Sequence, residues 1–459
     1  MKTVHRSLVA SLVLALALAL APGAGSANGP TAPRCLGRLA TIVGTSGDDE
    51  LVGTPGPDVI VGRDGVDFID AGRGDDRICG RGESDFLEGG SGDDLIEGGL
   101  GADTAHGGPG RDLIRTGTGP VEALFGGRGD DRLFGGPGTF DGLTGGAGDD
   151  LLDGGPGQDL AQFFESPGPV QGDLETDLVT GHGTDVLRGI EGLVGSSFDD
   201  VLLGDDASNL LVGEEGDDLI DARGSGSLVG LGADVLDGGE GDDTLDGGEG
   251  DDILQFDDSP SAVAVDLAAG TATGWGNDAV SSIEAVIGSD LGDTLLGNGD
   301  DEAFVGGFGD DLIDGRGGVD QVAYFDSFEP VVVDLAAGTA TGWGADTLVD
   351  IEDATGSAHA DLLVGEDGPN AIAGGSGADA ISGAAGDDVL VGDDGVDSAD
   401  GDAGTDACDA ETETDCEADA QTSRPRPAEP SWGAASCSSP PRLLTGESLP
   451  ARFGACPSP

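Results

Sequence analysis

The chain has 459 residues, a formal net charge of −71, 89 glycines and only 4% aromatic side chains. Such acidity excludes nucleic acid as a natural partner, since phosphate needs positive charge opposite it, and argues against docking on anionic lipid. The composition also excludes an ordinary globular core and leaves cations as the obvious counterpart.

Residues 1–27 are expected to be a secretory signal peptide. Lys2 and Arg6 supply the positive start, Leu8 to Leu20 is apolar apart from Ser11, and Gly25, Ser26 and Ala27 suit cleavage near Asn28. The apolar run is too short to span a bilayer comfortably, and no later stretch is a candidate, so no membrane span is expected in the mature chain. Residues 28–43 form a lead carrying Cys35.

From Gly44 to Arg115 the chain falls into frames of nine, opening at Gly44, Gly53, Gly62, Ala71, Gly80, Gly89, Gly98 and Gly107. The frame from Gly89 reads GGSGDDLIE, and its neighbours read GGLGADTAH and GGPGRDLIR. The sixth place is always acidic: Asp49, Asp58, Asp67, Asp76, Asp85, Asp94, Asp103 and Asp112. The eighth is always apolar: Leu51, Ile60, Ile69, Ile78, Leu87, Ile96, Ala105 and Ile114. A fixed short period marks a stacked solenoid. Glycines at places one, two and four permit a tight loop, and the last three residues make a short strand with the eighth side chain inward. One frame buries almost nothing, so stability must come from stacking. Stacking lines up the carboxylates, and two of them about 5 Å apart repel by roughly 3 kcal/mol at an effective dielectric near 20. A cation must sit between them, and flexible all-oxygen ligation suits calcium better than zinc or copper.

After Arg115 the period stretches, with frames one residue longer opening at Thr116 and Gly135, and the first block (44–162) adds Asp131, Asp150 and Asp159. A different, longer unit follows at 163–194 and recurs with the same length at 256–287 and 324–355. The last two cassettes share DLAAGTATGWG, and all three carry an Asp-Leu (Asp173, Asp266, Asp334) and an Ile-Glu (Glu191, Glu284, Glu352) at equal offsets. Alternation at Val263, Val265 and Leu267, then at Thr271 and Thr273, predicts two short strands and a turn. The cassettes are read as a structural continuation or cap. Trp275 and Trp343 would suit stacking on a sugar or simple packing, and His182 at the same place in the first cassette weakens the ligand idea.

Nonapeptides resume in 195–255 with Asp200, Asp218, Asp243 and Asp252 around an irregular patch at Ser225. They continue in 288–323 with Asp293, Asp311 and Asp320, and in 356–409 with Asp361, Asp379, Asp388, Asp397 and Asp406. Glu302 and Asn370 stand where two frames would place an aspartate. Residues 410–459 abandon the period and read as a flexible tail. Six cysteines allow fifteen connectivities. Pairing in chain order, Cys35–Cys79, Cys408–Cys416 and Cys437–Cys456, would staple both ends of the solenoid and loop the tail.

No HExxH, GxSxG or P-loop lysine occurs, and nearly all the chain is repeat or cassette, so no enzyme activity is expected. The frames resemble GGxGxDxUx, the nonapeptide of the RTX, or hemolysin-type calcium-binding, repeat family. The resemblance implies an all-β, right-handed parallel β-roll with two nonapeptides per turn. It implies many Ca2+ ions held between loops by backbone carbonyls and the sixth-place aspartates numbered above, with partners two frames apart such as Asp49 with Asp67. Without calcium, disorder is the expected state of much of the chain. The leader and cysteines depart from the leaderless export usual in that family. Two functions are weighed: a secreted, extracellular, non-catalytic calcium-binding protein with a surface, matrix or adhesive role and a cell-surface partner, or an accessory module of polysaccharide-active systems resembling alginate epimerases.

Overall fold

The computed structural model describes residues 33–224, 233–416 and 418–419. The leader, the patch at Ser225 and the Cys437–Cys456 pairing lie outside the described residues. Every helix or strand among the described residues is a β-strand. Val59–Arg63, Arg77–Arg81, Leu95–Gly99 and Leu113–Gly117 stack in parallel with Ile60, Ile78, Ile96 and Ile114 in register. A second parallel ladder takes the alternate frames, with Ile69, Leu87 and Ala105 in register in Phe68–Asp70, Phe86–Glu88 and Thr104–Pro109. Each turn is therefore two frames long and gives one strand to each ladder, which is a parallel β-roll.

Strand periodicity explains the seam between the ladders. Successive side chains alternate faces, so only the eighth of places seven to nine points inward. Ile60, Ile69, Ile78, Leu87 and Ile114 are fully buried there, whereas Phe86 at a seventh place stays exposed. Burying one such aliphatic side chain contributes about 1.5–3 kcal/mol, so the roll depends on repetition. Turns stack only about 4.8 Å apart, which dictates the glycines. Gly90 has φ of +95°, and a Cβ on it would lie 2.0 Å from the Gly72 carbonyl oxygen one turn below. The longer frames leave the seam intact: Ile114 pairs with Leu133 and Leu124 with Leu143.

The cassettes break the symmetry of the two ladders, which hold 25 and 19 strands among the described residues. The difference is two extra strands at each of three cassettes. In the first, Gln171–Asp173, Leu178–Thr180 and Thr184–Arg188 form an antiparallel meander. It is laid in backwards, because Thr184–Arg188 pairs with Leu151–Asp153 of the preceding turn and Gln171–Asp173 with Val201–Leu203 of the following one. Each cassette's meander therefore has three strands where two were expected, and a fourth strand, Gly192–Val194, Ala285–Ile287 or Asp353–Thr355, joins the other ladder. The third in the second cassette, Asn277–Ser281, reads as polar because only Asp278 and Val280 face inward.

Both expected disulfides within the described residues are present, Cys35–Cys79 and Cys408–Cys416. Arg34–Cys35 and Arg38–Leu39 form a hairpin against the first turns, where Cys35, Val61 and Cys79 make a small buried cluster. At the other end the roll outruns residue 409, contrary to the expected tail boundary. Thr412–Thr414 pairs with Ser398–Asp400 and Ala418–Asp419 with Ala407–Cys408, the Cys408–Cys416 link turning the chain back onto the stack.

Candidate metal centre

The loop before each strand carries its sixth-place carboxylate inward, to a spot dictated by backbone pairing. One carboxylate oxygen accepts the N–H of the sixth-place residue one turn earlier. Asp76, Asp94, Asp112, Asp131 and Asp150 Oδ1 accept from Asp58, Asp76, Asp94, Asp112 and Asp131 at 2.6–2.8 Å. On the opposite edge Asp67, Asp85 and Asp103 accept from Asp49, Asp67 and Asp85 at 2.9 Å. The same contact recurs at Asp159, Asp218, Asp243, Asp252, Asp311, Asp320, Asp379, Asp388, Asp397 and Asp406. These carboxylates form two edges that step two frames at a time, widened where frames are longer and interrupted around the cassettes.

The second oxygen differs. At Asp67, Asp76, Asp85, Asp94, Asp103, Asp112, Asp131, Asp150 and Asp159, Oδ2 is buried with no hydrogen-bond partner among the described residues. Asp218, Asp243, Asp252, Asp311, Asp320, Asp379, Asp388 and Asp397 repeat this. A buried charged oxygen without a donor costs free energy, and here the deficit repeats on nearly every turn. Apart from Asp406, which accepts the Asp388 N–H, the remaining sequence-derived candidates are Asp49, Asp58, Asp200, Asp293 and Asp361. They receive hydroxyl donors from Thr45, Thr54, Ser196, Ser289 and Ser357.

Oxygen surrounds the orphaned atoms. A Cβ added to Gly89 would meet Asp94 Oδ2 at 2.6 Å and the Gly107 carbonyl oxygen at 2.8 Å. Gly80 and Gly98 border equivalent cradles, formed by Asp85 with the Gly98 carbonyl and by Asp103 with the Thr116 carbonyl. Among the described residues no three or more His, Cys, Asp or Glu side chains converge, so a site here would be completed by backbone carbonyls. That donor set suits a hard, flexible cation such as calcium and disfavours zinc.

The electrostatics point the same way. Burial, then the carboxylates stacked above and below, pushes Asp94 and Asp112 up to about 7, and Asp243 and Asp311 to about 8. At Asp58 burial also acts upward, but hydrogen bonds from Thr54 and Thr41 outweigh it and hold the carboxyl below the usual range. Protein donors offset the burial in part: at Asp200 and Asp293 it still holds the carboxyl above the usual range despite hydrogen bonds from Ser196 and Ser289, and where donors are missing the roll would take up protons or a cation.

Several ladder members escaped the sequence reading. Glu122 and Asp141 sit in the stretched frames, and both oxygens of Asp141 are buried without a partner among the described residues. Asp234 continues the edge beside the irregular patch. The cassettes contribute Asp185, Asp278 and Asp346, and the Ile-Glu glutamates Glu191, Glu284 and Glu352 accept the N–H of Asp159, Asp252 and Asp320 at 2.9 Å. The signal available for the glutamates was their equal offset in all three cassettes.

A parallel roll lined by orphaned carboxylate oxygens defines a repeat class, and the sequence comparison agrees. The profile of the RTX calcium-binding nonapeptide repeat (4 copies) matches residues 43–78, 80–114, 121–139, 141–161, 193–224, 229–257, 287–323, 355–390, 373–408 and 382–415. The chain belongs to this family, and it binds multiple calcium ions. The unmatched gaps at 162–192, 258–286 and 324–354 fall on the three cassettes. No curated protein matches the chain significantly.

Proposed function

We propose that the protein is secreted, folds on meeting extracellular calcium, and serves a non-catalytic surface, matrix or adhesive role. The row of buried carboxylate oxygens with no donor among the described residues carries this reading, because it makes the calcium-free roll electrostatically unfavourable. The sixth-place aspartates and place-one carbonyls would hold the ions, and each ion would neutralise the charge between two turns. Extracellular calcium is abundant enough for modular sites that bind at about 10⁻⁴ to 10⁻³ M. No helix among the described residues is long and apolar enough to cross a membrane. Equilibrium dialysis of the full-length mature chain tests the reading: many calcium ions per chain are expected, and one ion or none would overturn it.

A further inference from the structure

One carboxylate edge changes character at every cassette, and the other at the first and third. On one edge, Val170, Val263 and Val331 occupy the aspartate place, their N–H donating at 2.7 Å to Asp200, Asp293 and Asp361. Those three aspartates lie in frames opening Gly-Ser. Ser196, Ser289 and Ser357 each set a hydroxyl at 2.9 Å on Oδ1 and their backbone N–H on Oδ2. Both carboxylate oxygens are therefore satisfied by the protein. On the other edge, Asn209 and Asn370 follow the first and third cassettes. Asn370 Nδ2 donates to the Glu352 carbonyl at 2.6 Å, and its Oδ1 accepts the Glu366 N–H at 2.9 Å. Asn209 repeats both contacts with Glu191 and Asp205. An amide thus does what a cation would do elsewhere. The second cassette is followed instead by Glu302, whose Oε1 is buried without a partner among the described residues.

The apolar packing changes at the same places. Each cassette buries eight apolar side chains, against three (Leu87, Ile96, Ala105) in the equally long block stretch 80–111. In the third cassette the Tyr324 hydroxyl also donates to Asp346 at 2.8 Å.

We propose that each cassette, with the two frames after it, is a calcium-independent folding segment that insulates one calcium-dependent block from the next. The segments are 163–212, 256–305 and 324–373. The proposal rests on the calcium reading above and assigns Asp200, Asp293, Asp361, Asn209 and Asn370 to positions that hold no ion. Neighbouring turns couple mainly to each other, so a turn that needs no ion keeps its strands when adjoining turns lose theirs. The second segment, with Glu302, is the weakest of the three.

Hydrogen–deuterium exchange on the full chain, in chelator and in millimolar calcium, reads this by segment. In chelator, peptides from the three segments keep slowed exchange, while those from 67–112 and 379–397 exchange as unprotected chain and recover on adding calcium. Simultaneous loss of protection in segments and blocks overturns insulation but leaves the calcium reading standing. Identical exchange in both conditions overturns both. A second arm uses S357A/N370D, which removes a donor and restores a charge. Protection within 324–373 should then require calcium while 163–212 is unchanged, and a 324–373 still protected in chelator overturns the assignment.

Discussion

The nonapeptide blocks and the cassettes build the same stack by different means. A block turn devotes its residues to glycine loops and carboxylates, and holds its strands with a thin aliphatic seam such as Ile78–Ile96. A cassette replaces one strand by a three-stranded meander and fills its interior with residues such as Phe256, Val263, Val265 and Ile283. Where apolar burial is scarce, electrostatics decides whether the turn folds; where it is ample, serine, asparagine and tyrosine satisfy the same edge. The stack is held together by two chemistries in alternation.

Acid titration breaks this comparison most strongly. In chelator, carboxyls such as Asp94 and Asp112 are raised to about 7 in the folded roll, against about 4 in the unfolded chain. The folded state then binds protons more tightly than the unfolded state. Block stability without metal is therefore highest below about pH 4 and falls as pH rises to about 7. Calcium reverses the sign, because the ions need ionised carboxylates and are released on acidification. Thermal melts at pH 4 and 7, with and without calcium, check the reversal; parallel pH trends in the two series would refute it.

The staple comes next. Cys35→Ser/Cys79→Ser opens a link across 44 positions and should lower stability by roughly 4 kcal/mol in the chain-entropy picture. The loss should be confined to the first turns and visible as fraying of peptides near Val61. Ile78→Ala should cost about 2–5 kcal/mol by leaving a cavity in the seam. Calcium bound by 379–397 should be unaffected, measurable by dialysis of the variant. The smallest effect sharpens the cassettes against one another. Arg316 reaches Asp266 at 2.7 and 3.0 Å, and Arg223 reaches Asp173 at 3.2 Å. Ala384 stands at the corresponding place of the third cassette, with the same left-handed φ near 67°. Ala384→Arg should stabilise the third segment by about 0.5–1 kcal/mol, read as a small rise in its melting temperature.

Much of this architecture was legible because the period is rigid. An aliphatic residue two places after every acid fixes which face is inward, and it led to the seam and to partners two frames apart, such as Asp58 and Asp76. Cys35 and Cys79 paired as their positions at one end of the stack suggest. Legibility failed wherever the phase slips. The stretched frames hid Glu122 and Asp141, whose strands nonetheless stay in register because the extra residue lies outside the seam. The third cassette strand was missed because Asp278 points inward as a ladder member, so apolar alternation is broken. Asn209 was missed although Asn370 was not, because its frame, GDDASNLLV, lacks the place-four glycine that keeps Asn370's frame, GEDGPNAIA, in pattern.

The central claim is that calcium, not apolar burial, holds the nonapeptide blocks. The direct measurement is far-ultraviolet circular dichroism of the chain from Asn28 onward, titrated with calcium from a chelated start. A minor β signal from the cassette segments should be present at the start. The remainder should appear cooperatively at about 10⁻⁴ to 10⁻³ M calcium. A full β spectrum in chelator, unchanged by calcium, would contradict the account.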